Sequence, residues 1–303
     1  MAVIDGRTVK WAEFVDESVM GTTPTNPTMN AFPGELIDVD IQSGAEFDSY
    51  KILKGATDSD PLSCGKTVKT GETHQVTITA KVSALTWLPY ALLAATTSTY
   101  APGVVPHYIS IGIKSGDDYC VLKGSILKSA VFEIPDMKTS GTLTLTYICQ
   151  DRSDWSSTDY IGTGSHATAP SATAYTMSDL SSVLYDGSAP SVSDILIESV
   201  KFSIENDIEP VTDLSETAPS KIGDYAFLSR SIQLDISMTM MAMGAHDDLL
   251  SSSDHTLAFT LDSKTLTFSA IKWANAPSVK AGPAAKVGMS LTSDGEATRL
   301  AIA

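Results

Sequence analysis

The residues best suited to chemistry are a few histidines, serines and carboxylates that lie close together in the sequence. His246-Asp247-Asp248 is the densest metal-like group, and Ser165 precedes His166 in the run GTGSH. Adjacent residues do not share a helix face, so the first group is better explained as the polar start of a helix that favours carboxylates. A nucleophilic serine needs a base that reaches its hydroxyl, and the sequence contains no G-x-S-x-G turn that would expose the serine. Neither group predicts catalysis.

Acidic turns are the remaining candidates. SGDDY (115–119) and TDSDP (57–61) lack the spaced carboxylates and closing glutamate of a calcium loop, so we interpret them as solvated turns. No phosphate-binding glycine loop follows a strand, and the three cysteines contain no C-x-x-C pair. The sequence therefore predicts a protein that is not an enzyme and that needs no metal and no cofactor.

Composition narrows the class further. The 303 residues are 43% hydrophobic, enough for a real core, and the net charge of −16 disfavours binding to nucleic acid or to anionic membranes. Only 18% of residues are charged, a composition typical of β-rich extracellular or virion proteins with Ser, Thr, Asn and Gly surfaces. No apolar run is long enough to span a bilayer, and the start lacks a signal-peptide core. We expect a chain made and folded in a cytoplasm without disulfides.

Strict alternation of apolar and polar residues is the dominant pattern, and it predicts antiparallel strands with one wet face. It occurs at Ile37/Val39/Ile41, Val76/Ile78/Ala80/Val82, Ile109/Ile111/Ile113, Ala130/Phe132/Ile134 and Leu143/Leu145/Tyr147. One short helix is predicted around Trp87–Ala95, where Pro89 suits the first turn.

The second half repeats this order. The corresponding segments are Val200/Phe202/Ile204, Ile232/Leu234/Ile236/Met238, a helix candidate at 244–250, HTLAFTLDS (255–263) against HYISIGIKS (107–115), and FSAIKWA (268–274) against GSILKSA (124–130). At the offset of the last pair, Leu143, Leu145 and Tyr147 align with Val287, Met289 and Leu291. Alternation alone can align any two β-rich stretches, but the preserved order favours an internal duplication.

We therefore predict two tandem antiparallel β-sandwich or half-barrel units, each with a short flanking helix, at 36–150 and 194–303. Residues 1–35 form an N-terminal arm and 151–193 a Ser/Thr/Ala/Gly-rich linker. Alternation in IESVKFSIENDIEPV (197–211) stops at Asn206-Asp207, and residues 43–73 and 206–227 are interpreted as long loops of the kind that carry function.

This organisation favours assembly over catalysis, because exposed sheet edges join neighbouring chains unless they are covered. The arm and the linker would clamp adjacent subunits. Their candidate contact residues are Trp11, Phe14, Trp155, Tyr160, Leu184 and Tyr185.

Two stretches resemble the tail tube protein (major tail protein) family of long-tailed, siphovirus-like bacteriophages and related viruses. EFVDESVMGTTPTNPT (13–28) is similar to a segment common near the start of these proteins. VKFSIENDIEPVTDL (200–214), followed by RSIQLDISMTM (230–240), is similar to their strand, Asn, x-x-Pro-Val, loop and Arg-led strand. Together with the strand order, the likeness covers most of the chain.

The resemblance implies rings whose inner sheets join into one β-barrel, stacked into a hollow tail tube that passes viral DNA without binding it specifically. Many members carry one unit and form hexameric rings, and two units in one chain imply a trimer with pseudo-sixfold symmetry. Implied partners are other copies of the chain and the tape measure, tail terminator and tail tip proteins, with no membrane, and the implied location is the virion tail.

The resemblance also implies roles for residues. The stacking loops between rings would use Phe47, Tyr50, Ile52, Leu53, Asp207, Ile208, Glu209, Pro210, Val211 and Leu214. The lumen would be lined by a polar strand face, with Asp38, Asp40, Thr77, Thr79, Lys81, Gln233, Asp235 and Ser237 as candidates.

Two alternatives remain. A capsid decoration protein, fibre or adhesin with two sandwich domains would show an exposed aromatic platform, whereas the four tryptophans are dispersed along the sequence. An enzyme on a β scaffold would need a catalytic constellation. Fold alone does not decide among these functions.

Overall fold

The structure is a computed structural model that describes residues 9–51, 65–187, 195–212, 222–240, 255–271, 285–292 and 300–303. The first half contains β1 (Val9–Asp16), β2 (Asn30–Ala31), β3 (Gly34–Lys51), β4 (Gly65–Val82), α1 (Leu88–Ala91), β5 (Ile109–Ser115), β6 (Asp118–Ile134), β7 (Thr142–Cys149) and β8 (Asp151–Arg152). The second contains a 3₁₀ turn (Met177–Asp179), β9 (Ser181–Tyr185), β10 (Ile195–Thr212), β11 (Ile222–Met240), β12 (His255–Leu261), β13 (Lys264–Ile271), β14 (Ala285–Thr292) and β15 (Leu300–Ile302).

The prediction of a mainly β protein with antiparallel sheets is confirmed. Alternation decides which face is buried: in β7, Leu143, Leu145 and Tyr147 point into the core and the threonines between them stay half-exposed. The helix predicted around residue 88 is confirmed as α1, with Pro89 in its first turn, where a missing N–H costs nothing. The helix predicted at 244–250 lies outside the described residues.

The strands of the described residues form three sheets, two of which share β6. The long sheet has the order β3-β4-β7-β6-β10-β11-β14 and runs through both halves of the chain. The first short sheet is β2-β1-β5-β6-β8, and the second is β9-β12-β13-β15. The two halves are therefore joined edge to edge by the pairing of β6 with β10.

Strand β6 belongs to two sheets because it bends. Its first part pairs with β5 up to Ser125, and its last part pairs with β7 and β10 from Ile126 onward. Gly124 sits at the change with φ +56, and a Cβ there would lie 2.7 Å from the Gln150 side chain. Glycine adopts that backbone conformation without strain, so the chain can pass from one sheet to the other.

The core is continuous across both halves. Phe202 of β10 stacks on Phe132 of β6 with ring centroids 4.9 Å apart, and it also contacts Trp87 beside α1 and Phe268 of β13. All four side chains belong to the same buried cluster. Packing of this kind makes each half part of the other's hydrophobic interior.

The prediction of long loops at 43–73 and 206–227 is wrong for the described parts of both segments. β3 and β4 remain paired from Gly34–Val82 to Lys51–Gly65, and β10 and β11 from Ile195–Met240 to Thr212–Ile222. The apolar alternation ends because the next residues on the same side of each strand are polar. Ser43 is opposite His74, and Asn206 is opposite Arg230. Asn206 therefore continues the strand instead of ending it.

The first strand also differs from its predicted facing. A bulge between Leu36 and Asp38 leaves Ile37 unpaired with β4 and 54% exposed, while Leu36 packs against the core. Val39 and Ile41 remain inward as predicted. A single extra residue reverses the side of every residue before it, which periodicity alone does not reveal.

Corresponding pairings occur in the two halves. β1 and β9 each add to the first strand of a hairpin, β5–β6 or β12–β13, and β8 and β15 each flank the second strand. Ser115 and Leu261 both end the first strand of a hairpin, and Leu145 and Leu291 pair with Ile78 and Leu234, which the predicted alignment matches to each other. Ser115 and Leu261 are 146 positions apart, as are Leu145 and Leu291, which differs by two residues from the predicted alignment of these strands; the internal duplication stays a prediction.

Candidate assembly surface

The polar face of the long sheet brings the predicted lumen residues together. Asp38, Asp40 and Gln233 are exposed, and Thr77, Thr79, Lys81 and Asp235 are half-exposed, all on the side opposite the core. The strand register places them in rows, of which one is Asp38, Thr79, Thr144, Val131, Ser203 and Gln233. The side chain of Ser237 lies outside the described residues.

Negative charge predominates on this face. A second row runs through Glu35, Lys81, Thr142, Glu133, Lys201 and Asp235, so carboxylates and lysines face each other across strands. The Lys81 ammonium donates to the carbonyl of Ser140 at 3.1 Å, and Gln233 donates to the Asp235 carboxylate at 3.1 Å. Asp38, Asp40 and Glu205 add carboxylates for which the described part of the chain shows no ion pair, and this negative charge makes the face unattractive to phosphate.

Strand β3 forms an edge of the long sheet. Among the described residues no strand pairs with its outer side. The backbone N–H of Val39 donates to the carboxylate of Asp38 at 2.9 Å, which shows that this N–H is turned away from β4. Unpaired strand edges are surfaces to which another strand adds unless they are blocked.

At the joint between the halves, strand β6 covers the edge of β10 that faces away from β11. Val200, Phe202 and Ile204 pair with Ile134, Phe132 and Ala130, and these six side chains are buried. Backbone pairing and apolar packing thus act together over the same stretch. Burial of a phenylalanine or isoleucine side chain contributes about 1.5–3 kcal/mol, so this joint is a substantial part of the fold.

Asn206 and Arg230 form a polar latch at the end of this joint. The Arg230 guanidinium donates from Nε to Asn206 Oδ1 at 3.0 Å and from Nη2 to the carbonyl of Gly103 at 3.1 Å. The Asn206 amide donates to the carbonyls of Ala91 and Leu127 at 3.1 and 3.2 Å. Burial lowers the pKa of Arg230 below its ordinary value. Two side chains of the second half therefore hold three carbonyls of the first.

The end of the β10–β11 hairpin docks on the first half. Ile208, Ile222 and Tyr225 pack with Ile126, and the Tyr225 hydroxyl donates to the carbonyl of Gly124 at 3.1 Å. Of the residues predicted for ring stacking, Ile208 is thus buried inside the chain. The others described there are exposed: Asp207, Glu209, Pro210 and Val211.

The remaining stacking candidates lie in β3 or outside the described residues. Phe47 and Tyr50 lie in β3, paired with Lys69 and Lys66. Ile52, Leu53 and Leu214 lie outside the described residues. A stacking role for these positions stays a prediction.

Residues predicted for the arm and linker contact their own chain. The ring centroid of Phe14 in β1 lies 5.0 Å from that of Phe32. In β9, Tyr185 pairs with Leu257 of β12, and Leu184 pairs with Ala258. Trp155 is 38% exposed. Both segments supply strands to the short sheets, so any clamping of a neighbouring subunit would come in addition to these intrachain contacts.

Glu13 is the residue that fastens the linker to β1. It is completely buried, and its carboxylate accepts hydrogen bonds from Trp11 Nε1 (2.9 Å), the Tyr160 hydroxyl (2.6 Å) and the backbone N–H of Ala167 (2.8 Å). Its Oε1 also lies 2.7 Å from His166 Nδ1. Burial, and after it the hydrogen bond from the hydroxyl to this carboxylate, raise the pKa of Tyr160 above its ordinary range.

His166 connects that buried carboxylate to a second one. Its Nε2 lies 2.9 Å from Asp159, so both ring nitrogens face carboxylates and neither is positioned to activate Ser165. Burial alone lowers the pKa of His166, but the hydrogen bonds and charges of Glu13 and Asp159 outweigh it, and the net pKa is raised.

We expect this histidine to make stability depend on pH. A folded-state pKa above the unfolded value of about 6.5 means that its contribution is fully present below pH 6.5 and is lost as pH rises through the raised pKa. Thermal melts from pH 6 to 9 should show stability decreasing over that interval in the parent and a flatter profile in His166→Gln. Equal slopes in the two proteins would contradict the assignment.

Other titratable groups of the described residues give no sign of a reaction centre. Cys120 and Cys149 are buried free thiols, and burial raises the pKa of Cys149 to about 12, so its reactive thiolate is suppressed. No three His, Cys, Asp or Glu side chains converge as metal ligands in the part of the chain that the structure describes. His246, Asp247 and Asp248 lie outside it. No helix of the described ranges is long and apolar enough to cross a membrane.

Asn206 and Arg230 were noted in the sequence only as the end of one strand and the start of another, without their pairing, and Glu13 was assigned no role. A signal existed for Asn206, which continues the inward positions of Phe202 and Ile204, and for Arg230, two residues before Ile232. Glu13 has no local signal for its role in holding the linker, because Tyr160, His166 and Ala167 are about 150 positions away. Comparison with models of known protein families gives no match, and no curated protein is significantly similar to the chain.

Proposed function

We propose that the chain is a structural virion protein that assembles with copies of itself into rings, which stack into the hollow tail tube through which genomic DNA passes. The observation that carries the proposal is the edge-to-edge joint. β10 is covered by β6 within the chain, whereas the outer side of β3 pairs with no described strand. That edge is available to a strand of another copy.

The two edges correspond to each other. β3 and β10 each open a long hairpin, and each hairpin is followed by a further strand on its other side, β7 or β14. If the halves are copies of one unit, the joint at β6 and β10 is the template for the joint between chains. Head-to-tail contacts of this kind close into a ring when the rotation permits. Three chains would give a trimer with pseudo-sixfold symmetry.

The polar face of the long sheet suits the wall of a DNA conduit. A conduit must not retain its cargo, and an acidic wall avoids the counterion release that drives proteins onto phosphate backbones. The candidate lumen residues Asp38, Asp40 and Asp235 share this face with Thr77 and Thr79. At the tube ends the tape measure, terminator and tip proteins would be the partners.

A proline at Ile41 tests the open edge. N–H groups alternate sides along a strand, so the N–H of Ile41, like that of Val39, faces away from β4. Proline removes that donor and blocks strand addition. Electron microscopy of the concentrated parent protein should show rings or tubes with a central hole, and Ile41→Pro should remain monomeric by analytical ultracentrifugation.

The matched control is Ile41→Ala, which removes the same side-chain contacts and keeps the N–H. It should still assemble, and circular dichroism should show that both variants are folded. The proposal is overturned if the concentrated parent stays monomeric, or if the proline variant forms tubes as readily as the alanine variant.

A further inference from the structure

A small open pocket, here called the Arg230 pocket, lies at the joint between the two halves. Its volume is about 190 Å³, and its lining includes the side chains of Leu93, Val104, Phe227, Leu228, Asn206 and Arg230. A cavity of about 150 Å³ holds one benzene molecule, whereas sites for drug-sized molecules span roughly 300–1,000 Å³. The Arg230 pocket therefore has the size for a single side chain and is too small for a cofactor.

Two exposed apolar side chains form the rim of this pocket. Val104 is 84% exposed, and its position is fixed because the N–H groups on either side of it, those of Gly103 and Val105, donate to backbone carbonyls directly after α1. Leu228 is 57% exposed at a bulge of β11, where no residue of β10 is opposite it. Bulges of this kind re-aim a side chain. Apolar residues exposed around a preformed cavity indicate a surface for contact with another polypeptide.

Arg230 gives the pocket a positive charge that nothing in the described ranges neutralises. Its guanidinium is buried, donates there only to Asn206 and to the Gly103 carbonyl, and forms no ion pair. Removing a charge from water without an opposite charge nearby is unfavourable, so a carboxylate at this position would stabilise the site. The pocket therefore favours an occupant that brings a carboxylate together with an apolar side chain.

The turn between β6 and β7 carries such a combination. Met137 is 62% exposed in this turn and follows Asp136. The Asp136 carboxylate accepts hydrogen bonds from the N–H groups of Lys138 and Thr139 at 2.6 and 2.7 Å and from the Thr139 hydroxyl at 2.9 Å. These hydrogen bonds, with that of Lys138 as the largest cause, lower the pKa of Asp136 and keep it charged. The turn thus holds a flexible apolar side chain beside a fixed carboxylate.

The turn cannot reach the pocket of its own chain. The pairing of β6 with β10 runs from Ile134–Val200, next to the turn, to Ser129–Glu205, next to Asn206 and the pocket. Strands rise about 3.3 Å per residue, so this stretch separates the turn from the pocket by about 20 Å. A second copy placed head to tail along the strands brings its turn to the pocket.

We propose that Met137 of one copy fills the Arg230 pocket of the next copy, where the adjoining Asp136 pairs with the guanidinium. This contact rests on the proposed function, since it would join stacked rings, whereas the β3 edge would join chains within a ring. Lys138 also meets opposite charge there, because the exposed Asp207 adjoins the pocket on β10. The contact joins two different surfaces, so it repeats from ring to ring without closing, as a tube requires.

Two substitutions in the turn test the apolar and the charged part of the contact. Met137→Ser should leave folding unchanged because the side chain is exposed, but stacking of rings should become about tenfold to a hundredfold weaker through loss of one buried side chain. Asp136→Asn keeps an oxygen that accepts from the turn and removes the charge, so it should weaken stacking about tenfold. Electron microscopy distinguishes tubes from free rings, and analytical ultracentrifugation measures their association.

A cysteine pair locates the contact directly. Met137→Cys combined with Val104→Cys should form disulfides between copies on oxidation of the assembled protein, seen as a ladder of linked chains on a non-reducing gel. Each chain then carries one cysteine for the copy on either side. The matched control combines Met137→Cys with Asp117→Cys, which is exposed in the turn between β5 and β6 and does not line the pocket. It should give nothing longer than dimers.

The outcomes separate this contact from the proposed function. If Ile41→Pro abolishes rings while Met137→Ser and Asp136→Asn stack like the parent, and the Val104 cysteine pair gives no ladder, the pocket contact is wrong and the β3 edge stands. If the parent forms neither rings nor tubes, both are overturned. Circular dichroism checks folding, and should the serine variant not fold, the presence or absence of the cysteine ladder decides.

Discussion

Replacing Phe202 with alanine is expected to lower the free energy of unfolding by about 3–5 kcal/mol, the range for phenylalanine truncation in well-packed cores. The side chain is fully buried and has aromatic neighbours on three other elements: Phe132 of β6, Trp87 beside α1, and Phe268 of β13. Neighbours on so many elements cannot all move inward, so most of the cavity would remain. Urea unfolding followed by circular dichroism measures the effect.

The location of Phe202 makes this more than a packing test. Because its ring lies on the joint between β6 and β10, its loss should destabilise both halves in one transition. Phe227→Ala is the matched control on the same hairpin pair, since that ring is only half-buried and should cost less. Separate transitions in the parent, or a loss below about 1 kcal/mol in Phe202→Ala, would show that the halves do not share a core.

Replacing Glu13 with alanine should be similarly costly, about 3–5 kcal/mol, as is usual when one partner of a buried charged network is removed. The carboxylate is inaccessible to solvent and accepts hydrogen bonds from Trp11, Tyr160 and Ala167 while facing His166. Without it these donors lose their acceptor, and water does not reach the site in the folded state. Chemical unfolding gives the stability, and limited proteolysis between residues 153 and 167 reports release of the linker.

Two controls define the cause. Glu13→Gln keeps the shape but accepts through only one oxygen, so its loss should be intermediate. Asp159→Asn alters the half-exposed contact with His166 while its side-chain oxygen can still accept from the Ile161 N–H, so it should cost less than about 1 kcal/mol. Proteolysis of the linker at an unchanged rate in Glu13→Ala would mean that this carboxylate does not hold the linker in place.

The strand pattern was predictable where apolar residues alternate without interruption. Leu143, Leu145 and Tyr147 identify β7 and its buried face correctly, since burial on one side requires an apolar residue at every second position. The same rule failed where the inward row becomes polar. Asn206 and Arg230 satisfy each other and three carbonyls, so β10 and β11 continue past the end of the apolar pattern. Apolar alternation indicates which residues are buried, but it does not indicate which inward polar residues are held by hydrogen bonds.

The assembly residues illustrate the same limit. Alternation predicted Asp38, Thr79 and Gln233 on the polar faces of their own strands, and the register places them in one row across the long sheet. The arm and linker, in contrast, were expected to be separate segments. Their roles in the short sheets depend on Glu13 and on strand pairings between residues far apart in sequence.

The sequence by itself determined the class of this protein: an acidic, antiparallel β chain with a short helix at α1, a repeated strand order and no catalytic motif. Those properties follow from composition and from the periodicity of residues that are close together in the sequence. Only the tertiary structure decided that β6 bends at Gly124 and joins β10, that Arg230 and Asn206 close this joint, and that the outer side of β3 pairs with no strand of the described ranges. Strand pairing is a long-range choice, set by the combined burial and hydrogen bonding of residues distant in sequence, and no local pattern contains it.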